Sequence, residues 1–210
     1  MVKYFILYKF NHNLSQCLLK RWFVEVKLEM MEGERERKMD RYGGNKMSCC
    51  TTNNKAEFKK ELEAIVEEND TLCKNLGPGA IDPLEELLER QSKLEIIDHY
   101  GCPLLKPVKV SLLYNLSCAY ERTPGSLDQA LKMYQKVLAL DPQHDKAWYN
   151  LGTNFIKLGK YDEAKKNLKQ ATKLKPYDAD YARNYNHVRR VLAGDGRLRL
   201  EDALRYRTVK

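Results

Sequence analysis

An all-α chain built from repeated helical hairpins is predicted by three features of the sequence. Small and aromatic positions recur at intervals of 34 to 35 residues up to Pro176. Apolar residues fall at i, i+3, i+4 and i+7 along most of 56–192, the period of amphipathic helices. Glycine and proline then cut these periodic stretches at distances short enough to turn each helix back on its neighbour.

Taken in chain order, residues 1–54 are expected to form a disordered or amphipathic extension. Leu18, Leu19, Trp22, Phe23, Val26 and Met30 lie at helical spacing opposite Lys20 and Arg21, and no acid precedes Glu25. That pattern suits an amphipathic anchor or a mitochondrial transit peptide. It equally suits a helix packed on the repeats, a floppy tail, or sequence upstream of a start at Met31, Met39 or Met47. Between Glu32 and Lys55 the chain is charged and poor in branched apolar residues, the composition of a linker. Residues 55–102 predict an acidic helical hairpin or a degenerate repeat. Its first helix carries Phe58, Leu62, Ile65, Val66, Leu72 and Leu76 and stops at Gly77-Pro78-Gly79. Its second carries Leu84, Leu87, Leu88, Leu94 and Ile97, with Asp82 expected as its cap and Pro83 at its first position.

Residues 103–193 contain the recurrence. Trp148, Leu151 and Phe155 share one face of a helix that Gly159 ends, and Tyr161, Ala164, Leu168, Ala171 and Leu174 share a face of the next. A looser copy precedes it in Leu116, Ala119, Tyr120, Gly125, Ala130, Tyr134 and Pro142, with one extra residue in the Thr123-Pro124-Gly125 loop. Asn115 and Asn150 are 35 positions apart and Pro142 and Pro176 are 34 apart, so the register spans both helices. Gly152, Ala164, Ala130 and Ser117 stand where two backbones must approach, and Ser126 with Gln129 reads as a capping box. Asp178 is placed to cap a further helix with Tyr181, Tyr185, Val188, Val191 and Leu192. Since Asn184 and Tyr185 occupy the Leu-Gly places, that helix is expected to cap the stack. Residues 194–210 form a basic tail.

The spacing Trp148, Leu151, Gly152, Phe155, then Ala164, Leu168 and Pro176 resembles the tetratricopeptide repeat, departing from its W-x2-L-G-x2-Y, A-x3-F, P pattern by Phe for Tyr and Leu for Phe. The resemblance implies a short helical-hairpin solenoid with two recognisable repeats and flanking helices, and a non-catalytic scaffold that binds proteins. It places the first helix of each unit along a concave groove. Here the lining would be Tyr114, Asn115, Cys118 and Arg122, then Lys146, Tyr149, Asn150, Thr153 and Lys157, then Arg183, Asn186 and Arg190. Such a polar, amide-rich and basic surface suits an extended peptide with acidic residues or a free C-terminus. Some family members hold heat-shock chaperone tails with a carboxylate clamp. Asn150 and Arg183 match two clamp positions, whereas Tyr114, Cys118 and Ala179 replace the other three.

Charge is segregated. Residues 51–100 hold six basic and twelve acidic residues, and 101–175 hold thirteen basic and six acidic. Seven lysines from Lys157 to Lys175 suggest an RNA-associated factor as a further alternative, but aromatic residues free to stack on bases are missing from that surface, so nucleic acid is the less favoured partner. The six cysteines show no metal-ligand or disulfide spacing, the four histidines lack catalytic partners, and no glycine loop precedes a helix to cradle phosphate. No catalytic residue, metal or cofactor is therefore expected. The longest apolar run, Tyr4 to Tyr8, is far short of the roughly 20 residues of a membrane helix. A cytoplasmic location is expected, with mitochondria as the alternative if the first 30 residues are a transit peptide.

Overall fold

The computed structural model describes the backbone of residues 52–98, 102–198 and 201, with side chains from Ala56 onward. The expectations for residues 1–51, for the Gly101 break and for most of the basic tail lie outside the described residues. Among those described there is no strand. Seven α-helices follow in order: α1 Thr52–Leu72, α2 Ile81–Ile97, α3 Leu105–Glu121, α4 Leu127–Leu140, α5 Asp145–Lys157, α6 Tyr161–Leu174 and α7 Ala179–Leu192. The chain divides into two compact units, Met1–Asp70 and Thr71–Lys210. Helices α2 to α7 belong to the second, where each packs against the next.

Helix ends explain the repeat length. Gly159 has φ +72°, and its N–H donates to Ile156 O (2.9 Å) while Lys160 N–H reaches back to Phe155 O (2.9 Å). These two bonds form a Schellman motif, which needs a left-handed residue and so favours glycine. The same pair closes α7, where Gly194 at φ +102° donates to Val191 O and Asp195 to Arg190 O. Gly194 is 35 residues beyond Gly159 and is followed by a further turn of helix at 196–198, so α7 stands where the first helix of a third unit would stand.

Two capping assignments from sequence are corrected. Ser126 makes no side-chain cap bond; its ψ of 18° departs from the extended backbone that aims a capping hydroxyl at the helix N–H groups. Asp82 and Pro83 lie inside α2, because a 3-10 turn at Pro78–Ala80 starts the helical path earlier, and Ala80 takes the cap position. Asp178 does cap α7, accepting from Asp180 N (3.0 Å) and Tyr181 N (3.1 Å).

Two cores run through α3 to α7. The first joins Val110, Leu113, Ala130, Leu131, Tyr134, Val137, Leu138, Ala147 and Leu151; the second joins Ile156, Tyr161, Ala164, Leu168, Val188 and Val191. Phe155 packs against both and so couples the units. Trp148 is half-buried, with its ring N–H donating to Pro142 O (2.9 Å). A Cβ added to Gly152 would lie 2.7 Å from Leu168 Cγ and 3.2 Å from the Leu168 backbone N. The small residue is therefore required by helix contact, not by backbone conformation.

Gly152→Ala is expected to lower stability by about 1–3 kcal/mol through overpacking. Gly77→Ala, at an extended residue with no heavy atom within 4 Å, should change it by under about 0.5 kcal/mol. Urea melts of both variants check the contrast, and equal effects would contradict it. Asn154 is fully buried with no protein partner for either amide atom. Because an unpaired buried amide costs free energy, Asn154→Ala should keep or raise the melting temperature, and a marked drop would contradict that.

Candidate ligand-binding face

Helices α3, α5 and α7 lie side by side in one layer, joined by side chains one repeat apart. Asn150 Nδ2 donates to Tyr114 Oη (3.2 Å), Lys157 pairs with Glu121 (2.6 Å), Tyr181 Oη donates to Asp145 (2.6 Å) and Asn184 Nδ2 donates to Tyr149 Oη (2.7 Å). Each of these links spans 35 or 36 positions. Helix α2 joins the ladder through Tyr120 Oη donating to Glu85 (2.5 Å), again 35 residues apart. That carboxylate, with some burial, pushes the Tyr120 hydroxyl up to about 12.

At the α3–α5 crossing the groups form one network. Tyr134, fully buried on α4, donates to Glu121 (2.8 Å), receives the second Asn150 amide proton (3.0 Å) and contacts Cys118 Sγ (3.3 Å). Burial, then the neighbouring Glu121 carboxylate, raises the Tyr134 hydroxyl far above its ordinary range, so it stays protonated and donating. Burial also raises the Cys118 thiol, which suits a packing role over reactivity.

At the α5–α7 crossing the Tyr149 and Tyr181 rings stack at 4.5 Å. Asp145 takes Lys175 Nζ (2.8 Å) as well as Tyr181. Burial works to raise the Asp145 carboxyl, but those two donors outweigh it and hold it below its usual value. His144 stands at the α5 cap position, where Nδ1 accepts from Ala147 N (3.1 Å) and the ring lies 4.7 Å from that of Tyr114. Its cap role depends on an acceptor nitrogen, and so on a neutral ring.

The residues expected along the groove fall into two groups. Asn150, Tyr149 and Lys157 are brought together, but with other side chains of the protein as their partners. Asn115 is buried. Arg122 donates to Leu76 O (2.8 Å), tying the loop before α2 to α3. Lys146, Arg183, Asn186 and Arg190 are exposed. Lys146 has no salt-bridge partner among the described residues. Arg183 pairs with Asp180 and Arg190 with Asp195, in exposed contacts of 2.8 and 3.1 Å. Glu85, Tyr120, Glu121, Tyr134, Asp145, Tyr181 and Asn184 join this network although sequence did not assign them to the face. Glu121 is 36 positions before Lys157, and that interval was the available signal.

Residues 123–183 match the tetratricopeptide repeat family profile. This segment belongs to the tetratricopeptide repeat family. The chain is also 40% identical over 52 residues to protein bimA of Emericella nidulans, a match covering 25% of this chain and 6% of that protein. It thus spans a small fraction of that relative's length. The C-terminal TPR-containing domain of a Plasmodium falciparum FK506-binding protein superposes with a TM-score of 0.47 at 20% identity, covering 65% of this chain and 93% of that one. Tetratricopeptide repeats are in general modules of protein–protein interaction, so the family implies a protein partner. Among the described residues no helix is long and apolar enough to cross a membrane.

Burial lowers the His144 pKa, Lys146 adds to this, and Asp141 and Asp145 oppose it. A folded value below the unfolded 6.5 means that this group favours the folded state above that pH and that the contribution is lost as pH falls. Protonation removes the acceptor of a cap worth about 1 kcal/mol. His144→Asn keeps a capping oxygen that does not titrate, so its melting temperature is expected to fall less than that of the wild type between pH 7.5 and 5.5. Parallel curves followed by circular dichroism would count against the cap.

Proposed function

We propose that the chain is a non-catalytic adaptor whose α3–α5–α7 face takes an extended segment of another protein carrying acidic residues or a free C-terminus. The observation that carries this is the state of the cations. Lys146 is exposed and unpaired among the described residues, while Arg183 and Arg190 are 73% and 69% exposed, in surface pairs on or beside their own helix. Such pairs contribute little, roughly 0–1 kcal/mol, so a ligand carboxylate exchanges for them at small cost. Between them the stacked tyrosines and hydrogen-bonded amides give a rigid surface, which reduces the entropy lost on binding.

The co-chaperone alternative fits less well. Both amide protons of Asn150, one of the two matching clamp residues, are spent on Tyr114 and Tyr134. An RNA role would rest on the exposed Lys165, Lys166, Lys169 and Lys173 of α6, on the opposite layer. It calls for steep salt dependence.

The test is fluorescence anisotropy with the full chain and a labelled peptide of alternating Glu and Ser. Changing Lys146, Arg183 and Arg190 together to Glu is expected to weaken binding by about tenfold or more, while a Lys-Ser peptide of equal length should not bind the wild type. Equal affinities for wild type and triple variant would defeat the assignment of this face.

A further inference from the structure

Seven lysines stand from Lys157 to Lys175 inclusive, but Lys157 differs from those on the outer face of α6. It projects from the last turn of α5 to Glu121 on the last turn of α3 at 2.6 Å, and both side chains are about one-fifth exposed, 21% and 20%. The carboxylate is held from a second side by Tyr134, which Asn150 in turn orients. Glu121 is therefore fixed by groups that cannot follow a ligand, and it sits where a ligand carboxylate would have to arrive to use Lys157. Arg183 has no such brace, since Asp180 is exposed, and Asp195 beside Arg190 is held from its second side only by a long bond from Leu198 N–H (3.4 Å).

We propose that Glu121 is a specificity-determining residue: it acts as an internal substitute for a ligand carboxylate, withholding Lys157 and leaving recognition of acidic groups to Lys146, Arg183 and Arg190. This rests on the acidic-peptide reading above and sharpens it. A ligand carboxylate near Lys157 meets a neutralised site and the repulsion of Glu121, whereas Lys146 is unpaired among the described residues and Arg183 and Arg190 stand in exposed pairs. The face thus distinguishes where along an extended peptide the acids lie. A segment that is neutral where it passes Lys157 fits better than one acidic throughout, because like charges brought together at an interface oppose binding.

The test uses the same Glu-Ser peptide with four forms of the full chain. Glu121→Gln keeps an acceptor for Tyr134 and frees the ammonium, and is expected to tighten binding about fivefold, the upper range for one partly exposed ion pair. Glu121→Gln with Lys157→Met, neutral for neutral, should return to within about twofold of wild type. The triple charge reversal at Lys146, Arg183 and Arg190 should still lose binding. If Glu121→Gln leaves affinity unchanged while the triple variant loses it, the proposal fails and the adaptor reading stands. A double variant well below wild type also overturns it, since Lys157 would then be engaging the ligand despite Glu121. If neither wild type nor Glu121→Gln binds the peptide, both readings fall. Should Glu121→Gln not fold, the double variant, which leaves no unpaired charge at the site, decides alone.

Discussion

The close approach of α5 and α6 at Gly152 is the constraint on which the rest of the second unit depends. With Leu168 pressed against a residue that has no side chain, the two helices lie near enough for Ala164, Leu168 and Ala171 to be fully buried and for Tyr161 to cover the end of the same core. Neither helix, at 13 and 14 residues, is long enough to be stable in water by itself. Their stability comes from the shared face, and the Schellman turn at Gly159 sets the angle at which that face closes.

Stacking then follows from Phe155, which belongs to both cores, and from the side-chain ladder along α3, α5 and α7. Repeats of this kind contact only their neighbours, so each interface must be sufficient alone. Here the neighbour contacts are mixed: apolar beneath, and polar where the layer of first helices faces outward. The links through Glu121, Tyr134, Asn150 and Asp145 are partly buried and share partners, the condition under which such networks stabilise. They also stiffen the surface offered to a partner.

The same ladder changes the electrostatics of that surface. Counting basic residues along the first helices gives a uniformly cationic groove. Pairing Lys157 with Glu121 removes one of these cations, leaving Lys146 unpaired among the described residues and Arg183 and Arg190 in exposed pairs. A net charge of +8 for the whole chain therefore says little about the local field that a ligand would meet.

What the sequence determined by itself is the set of helices and their period. Helical spacing of apolar residues, glycines at the turns and the 34-residue register act within or between adjacent elements, and such local signals survive in one dimension. The turn glycines, the Asp178 cap and the tight place at Gly152 are all of this kind. The start of α2 was misjudged because a 3-10 turn competes with the Asp-Pro signal, and the Ser126 box because backbone angles, not residue type, decide whether a hydroxyl reaches an N–H. Only the tertiary structure decided which polar groups are already taken. Glu121 with Lys157, Tyr134 with Asn150, and His144 as a cap beside Tyr114 each join residues whose types permit many partners, and the partner is chosen by how one repeat settles on the next.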